Sequence, residues 1–257
     1  MQPTISNTTP INGIQIYYEI YGKGSPLIML HGGGSTIQSS FERIIPLLAK
    51  THQIIAVESQ AHGRTSDRNS PSSFTQDAED IAQLMDHLKI KKTDVLGFSN
   101  GATTALQLAI HHPEIVNKLV LGSPLAKRNG VADGFWEFMK NASLENMPSQ
   151  LKEAFLKVNP SEEGLKNMHD RDAARMVNFK DISDTNLQSI VAPALIILAE
   201  KDVILTEHGI ELNKLIPNSH LAILPGTHGA YFGEITTIGL DFKEEDLPVP
   251  LIERFLN

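Results

Sequence analysis

The chain has 257 residues, no cysteine, 41% hydrophobic residues and a formal net charge of −8. That length suits one α/β domain with an insertion, and the missing cysteines exclude a disulfide scaffold, a thiol nucleophile and thiolate metal sites. The acidic balance argues against nucleic acid or an anionic membrane as partner, no run reaches the roughly 18 apolar residues of a membrane span, and Met1-Gln2-Pro3-Thr4 lacks the layout of a signal peptide. A cytoplasmic location is expected, with a small molecule as partner.

Residues 14–20 alternate between Asn12-Gly13 and Gly22-Lys23-Gly24, which predicts a strand after a tight turn, with residues 4–8 as its hairpin partner. Residues 26–30 form a continuous apolar run, the mark of a strand buried on both faces. That run leads into His31-Gly32-Gly33-Gly34-Ser35. Residues 40–50 read as an amphipathic helix through Phe41, Ile44, Ile45 and Leu48. A buried strand at 52–57 and a loop at 58–64 follow. Thr75 or Asp77 can cap a helix with Ala78, Ile81, Leu84, Met85 and Leu88 on one stripe. Then come a strand at 94–98, a helix at 102–112 and a strand at 115–121. This alternation implies a parallel, doubly wound α/β sheet with right-handed crossovers. Ligands of such sheets sit beyond the carboxyl ends of the strands.

After Gly122 the rhythm breaks. Residues 123–190 carry helical segments rich in large apolar side chains and no strand pattern, and are expected to form a small helical cap. The cap is inserted into a core made of residues 1–122 and 191–257. Phe135, Trp136, Met139, Phe155 and Met176 are its candidate pocket-lining residues. Strands at 194–199 and 221–224 flank a helix at 207–215. The first ends in Glu200-Lys201-Asp202 and the second in Pro225-Gly226-Thr227-His228-Gly229. A helix at 250–256 comes last.

The chain is organised around Gly97-Phe98-Ser99-Asn100-Gly101. A strand that turns sharply into a helix lifts the residue at the turn clear of the sheet, and glycine two residues to either side leaves room for the turn. The bare pentapeptide arises by chance in roughly one chain in ten of this length, so the surroundings must decide. A serine hydroxyl needs a base to become a nucleophile, and histidine suits the task. The imidazole in turn needs a carboxylate to fix its tautomer. Asp202 and His228 each follow a strand of the same sheet, so both can converge on Ser99. Among the other histidines His62 is the main rival as base; Glu200, Asp133 and Glu58 are the rival acids. His31 is expected to shape the glycine loop, and Arg64 and Asp67 to brace the loop that holds His62. Backbone N–H groups of Asn100 and Gly33, with Gly34 as fallback, are the candidate oxyanion donors. The glycine run lacks the Lys-Ser/Thr and the spacing of nucleotide-binding loops. No metal or organic cofactor is expected.

Leu30-His31-Gly32-Gly33, His62-Gly63-Arg64-Thr65-Ser66-Asp67, Gly97-Phe98-Ser99-Asn100-Gly101, Glu200-Lys201-Asp202 and Gly226-Thr227-His228 resemble, in order and over nearly the whole length, the motifs of α/β-hydrolase-fold serine hydrolases. The resemblance implies an eight-stranded, mostly parallel sheet with a helical lid and a triad in the chain order Ser, Asp, His. Serine rather than aspartate at the elbow argues against haloalkane dehalogenases and epoxide hydrolases. Ala61, Ala102 and Ala199 stand where the family often has glycine. The expected activity is carboxylic-ester hydrolysis through an acyl-enzyme. Carbon–carbon bond hydrolysis and lactonase, aminopeptidase or perhydrolase activity are alternatives within the fold, and a non-catalytic ligand receptor is the alternative of another class.

Overall fold

The computed structural model describes residues 1–240 and 247–257. Its strands are β1 (Ile5–Ile11), β2 (Ile14–Tyr21), β3 (Ser25–Leu30), β4 (His52–Val57), β5 (Thr93–Phe98), β6 (Val116–Gly122), β7 (Ala194–Lys201) and β8 (Ser219–Thr227). They form one eight-stranded sheet in the order β1-β2-β4-β3-β5-β6-β7-β8. β1 and β2 pair antiparallel, as do β2 and β4; every other pair is parallel. The first hairpin turns on Asn12 and Gly13, both with positive φ (45° and 82°), the geometry that matches strand twist in a two-residue loop.

Alternate residues of the central strands serve two cores. Ile28, Leu30, Ile55, Val95, Leu119 and Ile196 face one, and Leu27, Met29, Ile54, Leu96, Val120 and Ile197 the other. Helices cover both faces, which is why these strands read as unbroken apolar runs. α1 (Ile37–Phe41) and α2 (Ile45–Leu48) replace the single helix expected over 40–50. Pro46, in the first turn of α2, has no N–H to donate and crowds the preceding turn, so a continuous helix cannot pass it. α3 (Phe74–His87) is capped by Ser73, which is extended and accepts the Gln76 N–H at 3.1 Å, and not by Thr75 or Asp77.

α4 (Asn100–His111) starts directly after β5. The turn between them is tight enough that glycine is required at two points. A Cβ on Gly97 would lie 2.3 Å from the Gly101 carbonyl oxygen, and one on Gly101 would lie 2.1 Å from that of Leu30. Gly101→Ala is therefore expected to lower stability by about 3 kcal/mol, read as a reduced urea midpoint. At Gly134 an added methyl meets nothing within 4 Å although φ is +82°, so Gly134→Ala should cost only about 1 kcal/mol. Equal shifts in the two variants would contradict the close approach.

Between β6 and β7 lie α5 (Phe135–Lys140), α6 (Ser149–Val158), α7 (Glu162–Val177) and α8 (Asp184–Gln188). Within the 123–190 stretch expected to form a cap, α8 packs beside α4, and Ile182, Leu187 and Ile190 join the larger core. α9 (Thr206–Leu215) lies between β7 and β8, and α10 (Val249–Leu256) adds Ile252 and Leu256 to the second core. Among the described residues no helix is long and apolar enough to cross a membrane.

Candidate active site

Ser99 occupies the turn from β5 to α4 with φ 53° and ψ −118°. A non-glycine residue held there is strained. The turn is pinned from below, where the Ser99 N–H donates to the Gly122 carbonyl at 2.7 Å. The hydroxyl thus stands at the carboxyl rim of the sheet. His228 follows β8, its ring 4.9 Å from that of Phe98. The space is tight, because a Cβ on the next residue, Gly229, would lie 2.7 Å from Phe98 Cζ. His228 Nε2 is 3.0 Å from Ser99 Oγ, and Nδ1 is 2.6 Å from Asp202 Oδ1. A carboxylate only accepts, so Nδ1 carries the proton and Nε2 offers its lone pair to the serine hydroxyl.

Asp202 lies in the loop after β7, its side chain fully buried. Its Oδ1 also accepts the Ile204 N–H at 3.1 Å. Its Oδ2 accepts the Ala199 N–H at 3.1 Å and the Ser123 hydroxyl at 2.5 Å. Burial alone would raise the acid's pKa, but the His228 charge and these donors together hold it below the ordinary carboxylate range. The Ser123 hydroxyl in turn meets that of Tyr231. Sequence reasoning passed over both residues. The available signal was position: Ser123 directly follows β6, at the same rim as Ser99. The structure adds that its φ of 50° shares the left-handed strain.

The rival groups lie elsewhere. Glu58 is enclosed by Arg64, which donates from its backbone at 2.6 Å and from Nη2 at 2.8 Å. Glu200 and Asp133 are exposed. His62 is tied to Asp172. His31 does shape the glycine loop: Nδ1 donates to the Gly32 carbonyl at 2.7 Å and Nε2 accepts the Ser59 N–H at 3.1 Å. Burial, with the neighbouring His62 charge, pushes its pKa down to about 3, so it stays neutral. Asp67 braces its loop by accepting from Gln60 and Arg171, both at 2.7 Å.

Gly33 abuts the start of α4, since a Cβ there would lie 2.4 Å from Asn100 Nδ2. Gly34 is already committed, its N–H donating to Asp172 Oδ2 at 2.6 Å. That removes it as an alternative oxyanion donor. A cavity of about 440 Å³ opens above Ser99 and His228. Phe135, Met139 and Met176 are on its wall, with Met147, Leu151 and Ile204. Two expected members are not. Trp136 turns away, donating to the Arg128 carbonyl at 2.7 Å and stacking on Phe179. One residue along a helix is about 100° around it, so Phe135 and Trp136 cannot share a face. Phe155 is wholly buried against Leu165, Met168 and Ala61. Among the described residues no group of His, Asp and Glu is placed to hold a metal ion.

Fold and site together define an α/β hydrolase. The chain belongs to the alpha/beta hydrolase fold family, whose model matches residues 25–166. It is 27% identical to the human serine hydrolase BPHL over 91% of this chain and 84% of that protein. It is 35% identical to a 2-hydroxy-6-oxo-6-(2'-aminophenyl)hexa-2,4-dienoic acid hydrolase of Metapseudomonas resinovorans, over 42% of this chain and 39% of that one. The chain spans less than half the length of several curated relatives it matches. In architecture it is similar to a meta-cleavage product hydrolase of Pseudomonas fluorescens IP01, with a TM-score of 0.75, 22% identity and 98% of both chains covered.

Proposed function

We propose that the protein is a serine hydrolase that cleaves a carboxylic ester or related acyl bond of a small, uncharged, hydrophobic substrate through an acyl-enzyme. The observation that carries this reading is the unbroken hydrogen-bonded chain from Asp202 through His228 to Ser99, which opens at its hydroxyl end into an apolar cavity. Ser99 Oγ attacks the substrate carbonyl as its proton passes to His228 Nε2. Asp202 holds the imidazole in the required tautomer and stabilises its charged form. The N–H groups of Gly33 and Asn100 receive the developing oxyanion. The tetrahedral intermediate collapses, the alcohol leaves with the proton from His228, and water activated by the same imidazole then releases the acid. Helices α5 to α7 act as the lid that keeps bulk water from the acyl group.

Carbon–carbon bond hydrolysis is the second reading, favoured by the dienoic acid hydrolase of Metapseudomonas; lactone hydrolysis is the other alternative of the fold. The cavity wall weighs against a dienoic acid. Its one carboxylate is Asp172, and among the described residues it includes no lysine or arginine. Asn100, Asn146 and His169 also line it; a substrate carboxylate that none of them reached would cost about 3 kcal/mol, or a factor of about 100 in kcat/KM. The test is a panel of p-nitrophenyl esters with and without a terminal carboxylate, simple lactones, and 2-hydroxy-6-oxo-hexa-2,4-dienoic acids. Uncharged esters or lactones are expected to exceed the acidic compounds by about that factor. A dienoic acid turned over faster than every uncharged compound would replace this reading with the second.

A further inference from the structure

Helix α7 returns one carboxylate to the reaction cavity. Asp172 Oδ2 accepts the Gly34 N–H at 2.6 Å and lies 3.0 Å from His62 Nε2. Its Oδ1 accepts from the Arg175 guanidinium, which also donates through Nη1 to Asp77 Oδ2 of α3 at 2.5 Å. The cluster is nearly dry: the side chains of Asp172, His62, Arg175 and Asp77 are 12, 2, 5 and 4% exposed. His62 Nε2 also lies 3.3 Å from the Gly34 N–H, so ring, carboxylate and glycine form one hydrogen-bonded knot. His62 Nδ1 faces the Gln60 carbonyl at 2.9 Å and its Nε2 faces the carboxylate. Burial pushes the His62 pKa down, and the Asp172 charge and hydrogen bond push it further up. Burial likewise acts against the Asp172 carboxylate, and Arg175 and His62 outweigh it, holding that acid well below its ordinary range.

The place where this cluster ends has a functional bearing. The core holds Gly32 by its own means, through His31 on the carbonyl and the Ser40 hydroxyl on the N–H. Gly34 is held from the other side, by a residue of α7. Gly33 lies between the two anchors. Its α-carbon faces both Asn100 and Asp172, since a Cβ there would lie 2.4 Å from Asn100 Nδ2 and 3.0 Å from Asp172 Oδ2. The peptide joining residues 33 and 34 has the Ser35 hydroxyl on its carbonyl at 3.4 Å and His62 Nε2 3.3 Å from its N–H, but its shortest contact, at 2.6 Å, is with Asp172 of α7.

We propose that Asp172 is a positioning residue: by accepting the Gly34 N–H from α7 it fixes the chain on the far side of Gly33, and together with the core's hold on the Gly32 carbonyl this aims the Gly33 N–H at the oxyanion. The proposal rests on the reading of Ser99 as nucleophile and Gly33 as donor. It differs from a docking role alone. A carboxylate that merely held α7 in place, with Met168 and Met176 on the cavity wall, would on removal lower thermal stability and raise KM at little-changed kcat.

The test is D172A in the full-length chain, assayed below its melting temperature with the ester that the panel selects. A loosened oxyanion donor is expected to lower kcat by about 100-fold, with KM moving by less than about threefold. Affinity for an alkylboronic acid, which becomes tetrahedral on the serine, should fall by the same factor as kcat/KM. A folded D172A with kcat within about threefold of the parent would overturn the proposal, as would a rise in KM at unchanged kcat. If D172A does not fold, D172N and H62Q carry the same readouts. Each weakens the anchor while keeping the side-chain volume, and a loss of about tenfold or more in kcat is expected. Unchanged kcat in both overturns the proposal. A parent chain that a fluorophosphonate does not label at Ser99 defeats the underlying reading instead; a labelled parent with an unimpaired D172A defeats only this one.

Discussion

Ser99→Ala is expected to lower turnover by about 10⁶-fold while leaving the fold intact. The substitution removes the attacking oxygen and nothing that supports the elbow. The left-handed backbone at residue 99 is held by the Ser99 N–H on the Gly122 carbonyl and by the Ala102 and Thr103 N–H groups on the Ser99 carbonyl. None of these contacts involves the side chain. Alanine can occupy the same strained φ, and the cavity above it is otherwise unchanged. Steady-state hydrolysis of the preferred ester gives the rate, and a thermal melt checks the fold. Turnover within tenfold of the parent would move the nucleophile elsewhere.

His228→Ala should cost a similar factor, about 10⁶, and Asp202→Ala about 10⁴. Because the groups act as one unit, the Ser99→Ala, His228→Ala double variant should be no slower than either single variant. The pH profile adds an independent check. Burial pushes the His228 pKa down, but the Asp202 charge and hydrogen bond, with a further contribution from Glu234, raise it above 6.5. The base must be unprotonated to take the serine proton, so activity is lost as pH falls through that raised pKa. The acid limb of kcat/KM is expected above pH 6.5. In Asp202→Asn the carboxylate is gone and burial remains, so the limb should shift to lower pH in the residual activity. A limb at the same pH in parent and variant would show that Asp202 does not set the state of the base.

The parts legible in the chain were those in which local pattern and geometry agree. Apolar runs of five or six residues alternating with helical stripes define a parallel sheet, and a parallel sheet gathers the residues after each strand at one rim. That argument alone brings 99, 202 and 228 within reach. At Pro46 the apolar spacing of Phe41, Ile44, Ile45 and Leu48 reads through a break that the backbone cannot cross. Helix capping at Ser73 depends on which residue is extended, and Ser73, Thr75 and Asp77 are equally able chemically. The cavity wall was legible only in part. Phe135, Trp136 and Phe155 are all large apolar residues on inserted helices, and their orientation is decided by packing that no local period records. Asp172 was the least visible. On its own helix it reads as one polar residue of a solvated face, and its meaning depends on Gly34 and His62, each more than a hundred residues away in the chain.

The most direct test of the account is covalent. The parent chain is incubated with a fluorophosphonate and digested, and the peptide carrying the adduct is identified by mass spectrometry. The account predicts one stoichiometric adduct on Ser99, none in Ser99→Ala, and strongly slowed labelling in His228→Ala, because the hydroxyl then has no base at 3.0 Å. Folded parent protein without an adduct, or equal labelling of Ser99→Ala, would contradict it.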